Sequence, residues 1–375
     1  MPSDRIVHTR RVVVKVGSNV LTDHSSLNTN VIRSISHQIC VLIDRGLEVL
    51  LVSSGAMAAG LRKIGLDRRP DEIPQRQAIA ALGQSGLINA WEAAFGSCQK
   101  KVAQILLTSE DLNNRKRYLN ARNAMNALLA WKVIPIINEN DTVMVEEIKL
   151  GDNDNLSTMI ALLMDADILI NLTDIDGLYT KDPRTWPDAE LIPEVSVFRK
   201  EIETFASHIP GALGTGGMLS KIRAAKKVTA AGVPMIIAQG DKPDILIRLL
   251  DGERHGTYFV PKRKKMASRK CWIAYTLKPK GRLILDDGAV QALVHNGKSL
   301  LPIGIVDVEG DFGVGTAVEM MGADRQKLGI GLVNYTAADL RSIKGLRTHQ
   351  IKERLGHKPY DEAIHRDNLV VTAPK

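Results

Sequence analysis

Two lysines lie beside glycines and hydroxyl side chains, a setting typical of sites that hold phosphate. Lys15 ends a β-branched run and is followed by Gly17 and Ser18. Lys221 follows the glycine-rich segment 214–217. Glycine lets backbone N–H groups approach an anion, and lysine adds positive charge. A lysine that reaches water from a strand end explains Lys15 equally well, so both interpretations stay open there.

The segment before Lys221 has the composition of a loop that grips nucleotide phosphates. Successive glycines come just before a helical pattern, and the lysine falls in its first turns. It is not a Walker A loop, because no Gly-Lys-Ser or Gly-Lys-Thr sequence ends it. A flexible linker is the alternative, and the immediate start of a helix favours the phosphate-binding interpretation.

Carboxylates and amides gather in two further segments, 138–143 and 151–155, and Thr173 and Asp174 follow another buried run. Such groups are costly to leave without partners. They can bind an ammonium group, hold Mg²⁺ or position lysines, although turns and helix caps also favour Asn and Asp. The spacing does not match an EF-hand loop, so we reject a calcium site.

Small residues fill the segment 53–60, directly after another β-branched run. They let a helix start close to the sheet with its N–H groups pointing into a site. Plain close packing of a helix on a strand explains this segment at least as well.

Short β-branched runs alternate with helical patterns up to residue 260, and these elements must position the polar segments. The predicted strands are Val12–Val16, Glu48–Val52, Val102–Leu107, Val133–Ile137, Ile168–Leu172 and Val233–Ile237. The predicted helices include 31–45, 75–95, 119–131 and 156–163. This alternation predicts an α/β fold, a three-layer αβα sandwich with a mostly parallel central sheet. Ligands bind beyond the carboxyl ends of the strands in such sheets, where the polar segments fall.

A basic segment separates this part of the chain from a part with a different residue pattern. Nine basic residues and no acid occur between residues 261 and 282, so the formal net charge of +8 is local. Short alternating runs and many glycines follow, which predict a small β-rich domain with little helix. We therefore predict a catalytic domain at 1–260, a basic linker at 261–278 and a β-rich domain with a C-terminal tail at 279–375.

Composition excludes several classes of protein. The chain has 375 residues with 44% apolar content, enough for two cores. No apolar run reaches the roughly 18 residues of a membrane span, and the first residues lack the apolar region of a secretory signal. The three cysteines are few, odd in number and far apart, which predicts a reduced cytoplasmic protein without disulfides.

Together the polar segments resemble those of the amino-acid kinase family, and within it the branch that phosphorylates glutamate. The resemblance covers essentially the whole chain. Its most specific parts are Lys15–Ser18, Ser53–Ala56, Asn138–Asp141, Lys149–Asn155, Leu172–Asp174 and Gly214–Lys221. The end of the chain is similar to a PUA domain in the segments 285–289, 299–305 and 310–312. The resemblance implies ATP-dependent phosphorylation of the γ-carboxylate of L-glutamate, the first step of proline biosynthesis.

The resemblance also implies roles for individual residues. Lys15 and Lys221 would contact the transferring phosphoryl group, and Asp154 would orient both lysines. Those that would hold the nucleotide are Lys15, Thr173, Asp174, Thr215, Gly216, Gly217, Met218, Leu219, Ser220 and Lys221. Those that would hold glutamate are Ser54, Asp141 and Asn153. Mg²⁺ would arrive with ATP, so no metal site of the protein's own is expected, and we expect both lysines to face water.

Two positions depart from the pattern of related kinases. Acetylglutamate and aspartate kinases tend to carry a second glycine where Ser18 stands, which favours the glutamate branch. The family more often has Thr where Ser220 stands. Because a hydroxyl is retained at that position, we expect no loss of activity.

Partners follow from the same resemblance. The acyl phosphate product is unstable, so glutamate 5-semialdehyde dehydrogenase is the expected functional partner, with proline as feedback inhibitor and a homo-oligomer as the assembly. One alternative is a kinase of the same fold that acts on acetylglutamate, aspartate or a nucleotide. Another is an RNA-binding regulatory protein that uses the PUA-like domain, although we favour a solvated linker for the basic segment.

Overall fold

The computed structural model describes residues 9–23, 26–66, 68–143, 153–207, 217–261 and 265–372. It divides into two compact units, Met1–Lys265 and Met266–Lys375. The domain limits inferred from the sequence, 1–260, 261–278 and 279–375, stay predictions. None of the helices in the described ranges combines the length and the hydropathy that crossing a membrane requires.

The first unit is built on a large, mostly parallel sheet. Its strands are β1 (Arg11–Val16), β2 (Thr22–Asp23), β3 (Ser26–Leu27), β4 (Glu48–Ser53), β5 (Lys101–Leu107), β6 (Val133–Glu139), β7 (Ile168–Thr173), β8 (Glu194–Val195), β9 (Met235–Gln239) and β10 (Thr257–Phe259). Eight of them form the sheet in the order β5-β6-β4-β1-β7-β9-β10-β8, and β2 pairs with β3. Only the β9–β10 pair of this sheet is antiparallel in the described structure.

Helices cover both faces of this sheet, which confirms the predicted three-layer αβα architecture. They are α1 (Ser18–Leu21), α2 (Thr29–Asp44), α3 (Ala56–Ile64), α4 (Ile73–Gly96), α5 (Ser109–Asn113), α6 (Arg115–Ala130), α7 (Asn153–Leu163), α8 (Lys200–Ser207), α9 (Met218–Ala230) and α10 (Ile245–Leu250). Helices α2, α4 and α10 share one core with alternate residues of the central strands. Helices α7 and α9 contact β1, β7 and β9.

Strand β1 shows how one strand serves both the core and the site. Val12, Val14 and Val16 are fully buried in the core shared with α2 and α4. Successive side chains of a strand point to opposite faces. Lys15 therefore lies on the other face, the one that α7 contacts. The sequence did not predict β8 and β10, because strands of two or three residues carry no readable alternation.

The second unit holds a five-stranded sheet in the order β12-β11-β13-β14-β15. Its strands are β11 (Gly281–Leu285), β12 (Ile305–Gly310), β13 (Ala317–Met321), β14 (Lys327–Leu332) and β15 (Leu369–Val371). The described part of the unit also contains α11 (Ser268–Tyr275), α12 (Asp287–Val294), α13 (Ala337–Ile343) and α14 (Ile351–Leu355), of which only α12 lies in the segment 281–335 that was expected to hold little helix. Helix α11 lies inside the segment assigned to the linker, and its Trp272 and Ile273 are buried.

Two of the missed helices carry readable start signals. The Asp286 side chain accepts a hydrogen bond from the Ala289 backbone N–H at 2.7 Å, as an N-cap of α12. Thr336 and Asp339 form a capping box at the start of α13. These caps mark helix beginnings in the sequence. The helices are short enough that their apolar periodicity is hidden by the glycine-rich surroundings.

Helices α3 and α4 cross so closely that two glycines are required. A Cβ placed on Gly60 would lie 1.9 Å from the Ile79 carbonyl oxygen, and one on Gly83 would lie 1.8 Å from the Ala56 carbonyl oxygen. These neighbours are backbone atoms, so side-chain repacking cannot make room. The crossing fixes the start of α3, two residues after Ser54, against the middle of α4.

We predict that Gly83→Ala lowers the free energy of unfolding by about 1–3 kcal/mol, because the new methyl group must push two helices apart. Gly86→Ala is the matched control on the same helix. Its Cβ would meet only the end of the Lys63 side chain, at 3.3 Å, and the Ala59 Cβ at 3.8 Å. Alanine is favoured over glycine within a helix by about 1 kcal/mol, so the control should be neutral or stabilising. Denaturant unfolding of both variants measures this, and equal stability would contradict the close crossing.

Candidate active site

Polar side chains from separate elements meet at the carboxyl ends of β1, β4, β6 and β7. Helices α7 and α9 begin beside them, on the same face of the sheet as Lys15. The carboxyl ends of parallel strands form one edge, and helix N-termini that face it offer unpaired N–H groups. The polar segments selected from the sequence therefore meet in one place, as far as they are described.

Asp154 is the centre of a buried ion cluster. Its Oδ1 lies 2.7 Å from the Lys15 ammonium nitrogen, and its Oδ2 lies 3.3 Å from that of Lys221. The hydroxyl of Ser220 donates to Oδ2 at 2.6 Å. The side-chain amide of Asn171 donates to Oδ1 at 2.9 Å. Two lysines that are 206 positions apart in the sequence thus share one carboxylate.

Burial would by itself raise the pKa of Asp154, but the ammonium groups of Lys15 and Lys221 outweigh it. With the hydrogen bonds from Lys15 and Ser220, they hold that pKa well below its usual range. Both lysines are only 4% exposed. The expectation that they face water was wrong in this structure, because each ammonium group is turned toward the buried carboxylate.

A chain of amides continues from the ion cluster toward α4. The Asn153 amide donates to the Ser54 hydroxyl and to the Asn138 side-chain oxygen, both at 3.0 Å. The Asn138 amide donates in turn to the Gln84 oxygen at 2.9 Å. The Asn153 side-chain oxygen is buried and has no hydrogen-bond partner among the described residues. That oxygen is an acceptor available to a bound ligand.

Asp141 lies in a half-buried turn at the end of β6, against helix α4. Burial raises its pKa to about 6, and the guanidinium of Arg69 offsets part of that effect. No ion pair joins the two side chains, although both are described. A carboxylate with this little compensation is a suitable partner for a cationic group of a ligand.

The residues predicted to hold a nucleotide lie around the start of α9 and the end of β7. The Asn19 amide donates to Asp174 at 2.9 Å, and the Thr173 hydroxyl donates to the same carboxylate at 3.0 Å. Gly217 directly precedes α9, whose first residues are Met218, Leu219, Ser220 and Lys221. Thr215 and Gly216 lie outside the described residues.

Comparison with known proteins identifies the families that the chain matches. The chain matches the amino acid kinase family over residues 10–239 and the PUA domain over residues 281–355. This chain belongs to the amino acid kinase family. We call the unit Met1–Lys265 the kinase unit and the unit Met266–Lys375 the PUA unit.

Relatives of similar length extend across both units. A glutamate 5-kinase of Thermoanaerobacter sp. (strain X514) is 48% identical over 362 residues, which cover 96% of this chain and 97% of that protein. A glutamate 5-kinase of Geobacter metallireducens (strain ATCC 53774 / DSM 7210 / GS-15) is 50% identical over 363 residues, which cover 96% and 97%. The solved UMP kinase of Bacillus anthracis aligns over 68% of this chain and 97% of its own, with 17% identity and a TM-score of 0.47.

Sequence reasoning missed three polar contributors to the site of this kinase. Asn171 lies within an otherwise apolar strand, and that lone amide was its only signal. Gln84 lies on α4, whose pattern indicated packing alone, and Arg69 lies four residues before that helix. Polar residues of this kind become visible only when the sheet order places them beside strand ends.

The described side chains offer a divalent metal no ready cage. No group of three or more His, Cys, Asp or Glu residues in the described ranges could hold a metal ion. Asp154 already accepts from four donors, and a carboxylate has about four lone-pair sites. These four donors therefore occupy the lone-pair sites of Asp154.

We predict that Asp154→Asn lowers the free energy of unfolding by about 3–5 kcal/mol at pH 7, because it leaves two buried ammonium groups without their shared counter-charge. The pKa of Asp154 is depressed in the folded state, so its contribution to stability is present above the unfolded value of about 3.9 and is lost as pH falls further. The difference between parent and variant should therefore shrink below about pH 4. Urea titrations at several pH values test this, and a difference that does not depend on pH would contradict the ion cluster.

Proposed function

We propose that this chain transfers the γ-phosphate of ATP to the γ-carboxylate of L-glutamate, which yields L-glutamyl 5-phosphate, the first step of proline biosynthesis. The observation that carries the proposal is the cluster of Lys15, Asp154 and Lys221 at the carboxyl edge of the sheet. The family and the relatives named glutamate 5-kinase support the same reaction.

The reaction requires positive charge and accurate positioning of the substrates, and it does not require a general base. A glutamate side chain has a reference pKa near ~4.3 and is ionised at neutral pH, so the nucleophile needs no deprotonation. Two anions must approach each other while charge develops on the moving phosphoryl group. Lys15 and Lys221 supply two positive charges against one negative charge of Asp154. The cluster thus keeps a net positive charge for this step.

The nucleotide would bind along the start of α9. The first N–H groups of a helix have no partner within it, and they favour negative charge. The N–H groups of Met218, Leu219 and Ser220 directly precede Lys221. The phosphates of ATP and the Lys221 ammonium group would therefore share one site. Thr173 and Asp174 lie at the end of β7, beside this helix start, as polar partners for the nucleoside. Mg²⁺ would arrive with ATP as part of the nucleotide substrate.

The α-amino end of glutamate would bind beside the amide chain. Asp141 supplies a carboxylate, and Asn153 supplies a buried oxygen that has no partner among the described residues; both suit an α-ammonium group. An acetylated amine carries no charge, so acetylglutamate would leave Asp141 without a counter-charge. Ser54 would complete the site through its contact with Asn153.

Partners follow from the chemistry of the product. An acyl phosphate hydrolyses readily, so an enzyme that reduces it must act promptly, and glutamate 5-semialdehyde dehydrogenase is the proposed partner. Proline is the proposed feedback inhibitor and a homo-oligomer the proposed assembly. Cys40, Cys98 and Cys271 are free thiols, which fits the reducing cytoplasm.

The direct test measures ATP consumption with L-glutamate, acetylglutamate, L-aspartate and uridylate as acceptors. We expect glutamate to be the preferred acceptor, and Lys221→Met to reduce kcat by at least about 100-fold through lost stabilisation of developing charge. Lys226→Met is the matched control, because Lys226 lies on the same helix in an exposed ion pair with Glu203. Preference for another acceptor would refute the proposed substrate, and near-normal turnover of Lys221→Met would remove that lysine from the mechanism.

We predict that Asp141→Asn raises the KM for glutamate by more than about tenfold at pH 7.5, because a charge-assisted hydrogen bond contributes about 1.5–3 kcal/mol. The pKa of Asp141 is raised to about 6, so its charged form is lost as pH falls through that value. The KM of the parent should therefore rise as pH drops from 7.5 to 5.5, while that of the variant should respond much less. The KM for ATP is the internal control, and a larger effect on ATP than on glutamate would contradict the assignment.

A further inference from the structure

One buried polar side chain lies beneath the ion cluster without a role in the reaction described so far. Asn171 is on β7, directly paired in register with Lys15 on β1. It is 0% exposed, and its neighbours Ile170 and Leu172 are buried apolar residues of the core on the opposite face. The strand would pack without it, since every other residue of β7 before Thr173 is Ile or Leu.

Asn171 completes the set of donors around Asp154. Its amide donates to Oδ1 at 2.9 Å, and this is the same oxygen that receives the Lys15 ammonium at 2.7 Å. Oδ2 receives two donors as well, Ser220 and Lys221. With two donors on each oxygen, the carboxylate has its lone-pair sites filled. Two of the four donors are uncharged, the Ser220 hydroxyl on α9 and the Asn171 amide. Of these two, Asn171 is the one on a central strand of the sheet.

The same residue carries a cost that a leucine would avoid. The side-chain oxygen of Asn171 is buried and has no hydrogen-bond partner among the described residues. A buried acceptor without a partner destabilises the folded state, and a leucine of similar shape would remove that penalty. What the asparagine supplies in return, and a leucine would not, is the hydrogen bond to the Asp154 carboxylate.

We propose that Asn171 is a positioning residue for phosphoryl transfer, which fixes the carboxylate plane of Asp154 and thereby the directions of both lysine ammonium groups. The proposal rests on the proposed function, because it needs the two lysines to act on the phosphoryl group. Without the amide, the carboxylate is free to turn about its Cβ–Cγ bond and to favour one lysine over the other. Small misplacements of catalytic groups reduce rates steeply.

The first test replaces the amide by an apolar group of similar size. In Asn171→Leu we expect kcat to fall by about tenfold or more, since a hydrogen bond to a charged group is lost. The KM for glutamate should stay within about twofold, because glutamate contacts lie on the amide chain. The melting temperature should change little, because removing the Asn171 oxygen that has no described partner offsets the hydrogen bond lost to Asp154.

Leu169→Ala is the matched control for damage to the strand. Leu169 lies on the same strand and the same face, two residues before Asn171, and is equally buried. It should lower the melting temperature through the cavity it leaves, with kcat within about twofold of the parent. This pattern is the reverse of the one expected for Asn171→Leu.

A second variant, Asn171→Asp, gives a pH signature that a structural role would not produce. A protonated carboxyl can donate to Asp154 as the amide does, whereas two ionised carboxylates at this distance repel each other. The ratio of variant to parent kcat should therefore rise as pH is lowered and fall as pH is raised. A purely structural residue would give a ratio that does not change with pH.

The outcomes separate this proposal from the proposed function. Parent enzyme that does not phosphorylate glutamate would refute the proposed function, and a crystal structure of Asn171→Leu would still decide the positioning role. An Asp154 carboxylate that keeps its place against Lys15 and Lys221 in that structure would overturn the proposal. If the parent is active, a kcat of Asn171→Leu within twofold of it, or a flat pH ratio for Asn171→Asp, would overturn the proposal as well.

Discussion

A single buried carboxylate, Asp154, is the constraint on which the kinase site depends. Two ammonium groups repel each other, and burying them together without an anion would be prohibitively costly. The three charged residues come from three elements, with Lys15 on β1, Asp154 on α7 and Lys221 on α9. The site is therefore assembled only when the sheet and both helices are in place. Folding and the capacity for phosphoryl transfer are thus coupled through one ion cluster.

The site is graded in charge from one end to the other, and its substrate has the matching gradient. The lysine end is positive and suits the phosphates and the γ-carboxylate. The other end holds the Asp141 carboxylate and neutral amides, which suit an ammonium group. Asn153 and Asp154 are consecutive residues in the first turn of α7, so this one turn contributes to both ends. A zwitterionic amino acid with a second, distal carboxylate fits this order of charges.

The elements that depend on long apolar patterns could be predicted from the sequence, whereas features set by packing could not. The six predicted strands of the kinase sheet are present, because buried parallel strands are apolar almost throughout. Lys15 and Lys221 could be selected from their glycine-rich surroundings, but their burial could not, since it depends on Asp154 reaching them from another helix. Asn171 could not be selected for a similar reason, because the role of a lone amide in an apolar strand depends on its hydrogen bond to Asp154, which only the structure shows.

The close crossing at Gly60 and Gly83 illustrates the same limit. From the sequence, a glycine inside a helix indicates only weak helix propensity. The backbone of the neighbouring helix shows why a side chain is excluded at Gly60 and Gly83. The crossing sets α4 beside the end of β6, where Gln84 meets Asn138.

The free-energy cost of burying polar groups in the site falls on one face of the central strands. Apolar packing on the opposite face offsets that cost. On β1 the residues Val12, Val14 and Val16 are fully buried in a core that continues through α2 and α4. Lys15 points to the other face, where its ion pair with Asp154, rather than apolar packing, holds it in place. A site on rigid strands and helix starts is more accurately positioned than one carried by loops. The side-chain oxygens of Asn153 and Asn171, which have no hydrogen-bond partner in the described part of the chain, are tolerated here because the apolar face supplies the stability that these polar groups do not.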